Sequence, residues 1–260
     1  MWNIMKAQNY QIKRDNLVII GFLVCLVLPV LGIYLADIGV DNMDGSLFTV
    51  AMFGIFPFVF LLLSLILVTR ICGWDMNDKT INYELLAGHS RTEVYFGRAM
   101  SSLVWTMVGC VLVSLIPILL FTAVKGWGHS LDIGDAVIRY GVMLLALFRW
   151  SCELTLLTFL LRNNYAAAVL GFVIFDFGTI FALIMEEMGQ KVDWQLASAN
   201  MMNLSDVSNY RNVMIGDMQV TVYEATLGTS EIINSVLASI VVGIICVAVG
   251  YGVFRRHDMA

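Results

Sequence analysis

Three charged residues stand inside long apolar stretches of the sequence: Arg149, Glu153 and Asp176. Insertion of one such charge into a bilayer costs roughly 2.5–3.5 kcal/mol, so these side chains should face protein or water. Arg149 and Glu153 are four residues apart and would share one helix face, and Asp176 would lie at a similar depth on the next helix. Two interpretations stay open. A structural ion pair between the two helices is favoured, because these charges and Arg139 sum to zero; the other is a polar patch on a substrate path or proton relay.

Patterns that mark enzymes are weak. Glu186 and Glu187, followed by Lys191, approach the E-E-x-x-x-R pattern of membrane-embedded proteases, but lysine replaces the arginine. The three histidines lie outside the apolar stretches, at His89, His129 and His257. The sequence contains no G-x-S-x-G, no H-E-x-x-H and no G-x-x-x-x-G-K-[ST] phosphate-binding loop. We therefore predict no catalytic residue, no metal ligand and no bound cofactor in this chain.

The composition of the chain indicates which secondary-structure elements hold these charges. The chain has 260 residues, of which 59% are hydrophobic and 13% charged, with a mean hydropathy of +0.82. Soluble domains have about 45–50% apolar and about 25% charged residues, so this is a membrane protein. The apolar stretches are continuous and do not alternate in polarity, which excludes a β-barrel. We predict an all-α, polytopic fold, a single domain over residues 1–260, with six transmembrane helices at 17–35, 46–68, 99–124, 139–161, 165–185 and 232–254.

The charges of the loops predict the orientation. The net charge is −5, but Lys and Arg are unevenly placed, with ten on one predicted side of the membrane and three on the other. The positive-inside rule then puts both termini in the cytoplasm. A multi-pass protein of the plasma membrane, of the bacterial inner or cytoplasmic type, is expected, with lipid around it and no nucleic-acid partner.

Two connections are long enough to carry a function. Residues 74–91 are predicted to form a short cytoplasmic helix closed by Gly88, with Ile81, Leu85 and Leu86 as an apolar stripe. This helix could lie on the lipid surface or dock to a cytoplasmic partner. Residues 186–231 form an external loop rich in acidic side chains. It could be a folded cap over the bundle or a contact site for an amphipathic peptide.

The first of these connections resembles the permease subunits of ABC transporters of the ABC-2 class. Lys79 and the pair Gly88-His89 depart from the usual pattern of that family, whereas Arg98 matches the basic residue that opens its third helix. The matching residues within residues 74–91 are Asp78, Thr80, Leu85, Leu86, Ser90 and Arg91. The resemblance implies that this segment is the coupling helix, which docks on a separate ATPase subunit. Leu85 and Leu86 would anchor that contact, with Arg91 at its edge.

The resemblance also implies the function. The chain is expected to be the permease subunit of an ATP-driven ABC exporter that moves a peptide or a hydrophobic compound, such as an antimicrobial peptide or a drug. ATP and Mg would bind to the partner ATPase, and a second permease copy or paralogue would complete the transporter. The alternative from another class is a membrane sensor or accessory anchor subunit that transports nothing.

Overall fold

The computed structural model describes residues 1–35, 43–77, 81–215 and 218–256. Within these ranges six helices are long and apolar enough to cross a membrane, which confirms the prediction of an all-α polytopic protein. The helices of the described ranges are α1 (Trp2–Ile12), α2 (Asn16–Leu35), α3 (Gly45–Val68), α4 (Trp74–Asn77), α5 (Ile81–Leu86), α6 (Arg91–Lys125), α7 (Ile133–Leu161), α8 (Asn164–Glu187), α9 (Ala197–Ser205) and α10 (Thr229–Arg256). A π-helical turn, Thr69–Gly73, prolongs α3.

Two of the spanning helices form the centre of the bundle. α3 and α7 bury more than half of their apolar stretch inside the protein, whereas α8 buries about a tenth. Aromatic rings of α3 fill the space between the helices: Phe56 stacks on Phe60 at 5.4 Å between ring centroids, and Phe48 stacks on Phe121 of α6 at 4.3 Å. α7 packs against α10, α6, α8 and α9. Side chains on α7 can therefore reach several other elements.

The helix α6 begins at Arg91, eight residues before the predicted start at residue 99. The reason is a capping box at its first turn. The Ser90 hydroxyl accepts from the Glu93 N–H at 3.2 Å, and the Glu93 carboxylate accepts from the Ser90 N–H at 3.1 Å. With 35 residues α6 is about 52 Å long, which exceeds the roughly 30 Å hydrocarbon thickness of a bilayer. Part of α6 therefore extends beyond the hydrocarbon, and the charged residues Arg91, Glu93 and Arg98 are all in its first turns.

The N-terminus and the end of α10 lie at one end of the bundle, which we call the terminal end. The N-terminal amine pairs with Glu93 at 3.3 Å, and Arg91 Nη1 donates to the Arg255 carbonyl at 3.0 Å. The opposite end, where residues 188–228 leave α8 and return to α10, is called the loop end. This connection contains α9 and a two-stranded antiparallel hairpin of β1 (Tyr210–Ile215) and β2 (Met218–Tyr223), with Tyr210 opposite Tyr223.

Candidate functional site

The described residues of the 74–91 segment are helical in α4 and in α5. Asp78 and Thr80 lie outside the described residues. The turn that closes α5 is at Gly88, whose φ of +91° is a backbone conformation that favours glycine. The Gly88 N–H donates to the Leu85 carbonyl at 3.1 Å, so the end of α5 is closed as predicted.

The apolar residues of α5 do not share one face. Ile81 is buried, and Leu85 is half-buried against the core of the bundle. Leu86 points away from both and is 83% exposed. Of Ile81, Leu85 and Leu86, Leu86 is therefore the side chain that is available for contact with another molecule, whereas Leu85 packs against the core of this chain.

An ion pair joins α5 to α6 beneath this surface. Arg98 is 1% exposed, and its Nη2 lies 2.8 Å from Oε1 of Glu84 while its Nε donates to Oε2 at 3.3 Å. The third guanidinium nitrogen, Nη1, donates to the Ile71 carbonyl in the π-helical turn at 3.4 Å. A two-point guanidinium–carboxylate contact fixes orientation as well as distance. Arg98 thus connects the 74–91 segment with both α6 and the end of α3.

The π-helical turn itself is tightly placed. A Cβ at Gly73 would lie 2.9 Å from the Cβ of Asn164, so glycine allows the turn to approach the start of α8. On its other side Arg70 Nε pairs with Asp15 at 2.8 Å, and the guanidinium stacks on Trp74 at 3.8 Å from the ring centroid. Such π turns inside longer helices often mark functional positions.

The last two predicted residues of this segment have structural roles. Ser90 caps α6, as described above, and Arg91 contacts the end of α10. The cap could have been read from the sequence, because Ser90 and Glu93 have the S-x-x-E spacing of a capping box. Glu84 was not identified, since nothing in the local sequence relates it to a residue 14 positions further along.

The intramembrane charges are arranged around Arg149. This side chain is 4% exposed, and its Nε lies 2.8 Å from Oε1 of Glu153, one turn along the same helix. Its two other nitrogens donate to main-chain carbonyls, at 3.0 Å to Trp194 and also to Gln195. We call Arg149, Glu153 and these two carbonyls the arginine site. Asp176 is half-buried on α8, and no ion pair joins it to Arg149 in the part of the chain that the structure describes.

The arginine site lies deep in the bundle. Arg149 is 12 residues from the end of α7 at Leu161, or about 18 Å, and somewhat further from its start at Ile133. The acceptor carbonyls belong to the connection that follows α8, so this connection turns back from the loop end to mid-depth. Arg149 therefore fixes α7 to a re-entrant segment of main chain.

A second arginine holds the other end of that segment. Arg139 is 6% exposed, and it donates to the Leu204 carbonyl at 3.2 Å, to the Asp206 carbonyl and to the Ala225 carbonyl at 3.1 Å. Leu204 and Asp206 are at the carboxyl end of α9, where a cation is favourable. Arg139 and Arg149 are ten residues apart, about 15 Å along α7. α9 is thus attached to α7 at both of its ends.

A cavity of about 540 Å³ lies between α8, α9 and α3 near the loop end. Its walls combine apolar groups, such as Val50 and Met202, with charged side chains. The charged residues are Glu186, Lys191, Asp193 and Asp206. The Glu186 and Lys191 of the protease-like pattern are therefore parts of this wall. The cavity has the mixed lining that an amphipathic ligand would need.

A comparison with protein families agrees with this architecture. A family model described as "ABC-2 family transporter protein" matches residues 6–179, which is more than half of the chain and includes the 74–91 segment, Arg149, Glu153 and Asp176. No curated protein and no solved structure gave a match.

Proposed function

Since the chain belongs to the ABC-2 transporter family and is a multi-pass membrane component of a transporter, we propose that it is the permease subunit of an exporter. In this proposal the terminal end faces the cytoplasm, in agreement with the ten basic residues on that side. Two permeases, either copies or paralogues, work with separate ATPase subunits that bind ATP and Mg. The observation that carries the proposal is the family match over residues 6–179.

The 74–91 segment has the properties of a coupling element. Leu86 offers an exposed apolar side chain for a groove on the ATPase subunit. A displacement of α5 would pass through Glu84 and Arg98 to α6, and through the Ile71 carbonyl to the end of α3. Because α3 lies at the centre of the bundle, movement at its end reaches the packing of several spanning helices.

The cavity at the loop end supports the proposal that the substrate is amphipathic. The cavity there has three acidic side chains, one lysine and an apolar wall. We propose that a peptide or a hydrophobic compound leaves the transporter along this surface. The acidic groups would favour a substrate with positive charge.

The proposal is tested by co-purification from membranes of the native host. The tagged chain should retain a partner that carries a G-x-x-x-x-G-K-[ST] loop, identified by mass spectrometry. Leu86→Glu should reduce that partner at least tenfold, because a carboxylate would enter an apolar groove. The matched control is Val124→Glu, which places the same carboxylate at an equally exposed apolar residue, 82% against 83%, at the loop end.

ATP hydrolysis by the isolated complex gives the second measurement. If the substrate is a peptide, a cationic amphipathic peptide should stimulate hydrolysis. If it is a hydrophobic compound, a lipophilic dye should do so. A purified chain without any nucleotide-binding partner would contradict the proposal and support a sensor or anchor subunit instead.

A further inference from the structure

The helix α1 covers the first turns of α6 with one face only. Ile4, Gln8 and Ile12 form its buried face, at the i, i+4, i+8 spacing of a helix. A Cβ at Gly97 of α6 would lie 3.1 Å from Ile4, so the two helices are close. The opposite face of α1 exposes Trp2 and Tyr10. A helix of this kind lies in the interface between membrane and water.

A groove of about 250 Å³ separates the edge of α1 from α6. Its walls are almost entirely apolar and include one cation. The lining residues that matter are Trp2 and Lys6 of α1, and Val104, Trp105 and Val108 of α6. This volume is below the roughly 300–1,000 Å³ of typical small-molecule pockets, and it fits part of a flexible chain.

The groove extends along α6 from the terminal end toward the middle of the helix. Val104 lies about 9 Å and Val108 about 15 Å beyond Arg98 along the axis of α6. Both valines are exposed on the outer surface of the bundle, and Leu112 continues the same stripe one turn further. Lys6 is at the terminal end of the groove, beside Trp2, with its ammonium 5.8 Å from the ring centroid.

The charges around the groove favour an anion. The first 14 residues contain Lys6, Lys13 and Arg14 and no acidic residue. The N-terminal amine is paired with Glu93. For Lys6, no carboxylate of the described residues lies within ion-pair distance. Basic residues at the membrane surface attract anionic lipid headgroups.

We propose that this groove binds an anionic phospholipid, with its phosphate at Lys6 and one acyl chain along Trp105, Val104 and Val108. The cation at the boundary, the apolar wall below it and the continuous outer stripe match the two parts of such a lipid. The proposal requires a membrane around the protein and does not depend on the ATPase partner or on the substrate.

The experiment uses the full-length protein, purified in detergent and titrated with dioleoylphosphatidylglycerol or dioleoylphosphatidylcholine. Native mass spectrometry counts the lipid adducts. The wild-type chain should retain the anionic lipid several-fold more than the zwitterionic one. Lys6→Gln should bring the ratio close to one, and Lys6→Arg should restore it. The control is Arg211→Gln, which removes an exposed base of the hairpin at the loop end, outside the groove, and should leave the ratio unchanged.

A second variant separates chain binding from charge. Val108→Trp fills the groove and keeps Lys6, so the retained anionic lipid should fall although the charge is intact. Equal retention of both lipids by the wild-type protein, or an unchanged ratio in Lys6→Gln, would overturn the proposal. Co-purification of the ATPase is measured on the same samples, so failure of the lipid site is distinguishable from failure of the transporter assignment.

Discussion

Two buried arginines each contact a glutamate, but they connect different parts of the molecule. Arg98 and Arg149 each lie 2.8 Å from a glutamate oxygen; Arg98 also donates to the Ile71 carbonyl, and Arg149 to the carbonyls of Trp194 and Gln195. The glutamate of Arg98 comes from another element, α5, whereas that of Arg149 is on the same helix, α7. The Arg98 contact therefore joins two elements through side chains. The Arg149 contact joins two elements through the main chain of the re-entrant segment.

This difference decides what can move. A side-chain pair at the terminal end can shift with α5 and stay paired, because both partners have rotatable bonds. The carbonyls of Trp194 and Gln195 follow the backbone, and Arg149 loses them if the segment moves. We therefore expect the terminal end to transmit displacement and the arginine site to resist it.

The largest effect is expected for Arg149→Met. It leaves Glu153 without its cation and two carbonyls without donors at mid-depth, and loss of one partner from a buried pair costs about 3–5 kcal/mol. The variant should unfold at a much lower temperature in detergent, and protease should cut residues 188–205 sooner. Arg211→Met is the control. Arg211 is exposed on β1, its Nε lies 3.7 Å from Glu224, and surface pairs contribute about 0–1 kcal/mol. Equal stability of the two variants would contradict the role of the arginine site.

The sequence predicts the spanning helices and the Arg149–Glu153 pair, but not the main-chain acceptors of Arg149. Six apolar stretches were enough for the six spanning helices, and the spacing of Arg149 and Glu153 showed that they share a face. The acceptors of Arg149 could not be found, because a main-chain carbonyl is present in every residue and nothing marks Trp194 or Gln195. The favoured partner, Asp176, was chosen by depth alone, and depth does not fix the direction in which a side chain points.

Exchange of the two charges should restore stability at Arg98 but not at Arg149. The expected changes in stability at Arg98 are smaller than for Arg149→Met. Arg98→Met is expected to cost less than Arg149→Met, about 1.5–3 kcal/mol, because Glu84 is at the terminal end, where water can replace part of the lost contact. The exchange Glu84→Arg with Arg98→Glu should recover part of that loss, because the pair can re-form across α5 and α6. The exchange Arg149→Glu with Glu153→Arg should recover nothing, since a carboxylate would then face the Trp194 and Gln195 carbonyls. Thermal unfolding of these three variants and of Arg149→Met measures the recovery, and recovery at both sites would show that the two arginines act alike.

The smallest expected effect is the interaction energy between Arg149 and Asp176, which tests whether Arg149 has a side-chain partner on α8. If Arg149 is held by Glu153 and the main chain, Asp176→Leu should change stability by the same amount in the wild-type chain and in Arg149→Met. Independent sites add within about 0.3–0.5 kcal/mol, whereas groups in contact show interaction energies of about 0.5–3 kcal/mol. A double-mutant cycle measured by unfolding in detergent gives this value directly. An interaction energy above about 1 kcal/mol would mean that Asp176 is a partner of Arg149 after all. In that case Arg149 also joins α7 to α8 through a side-chain ion pair, as Arg98 joins α6 to α5.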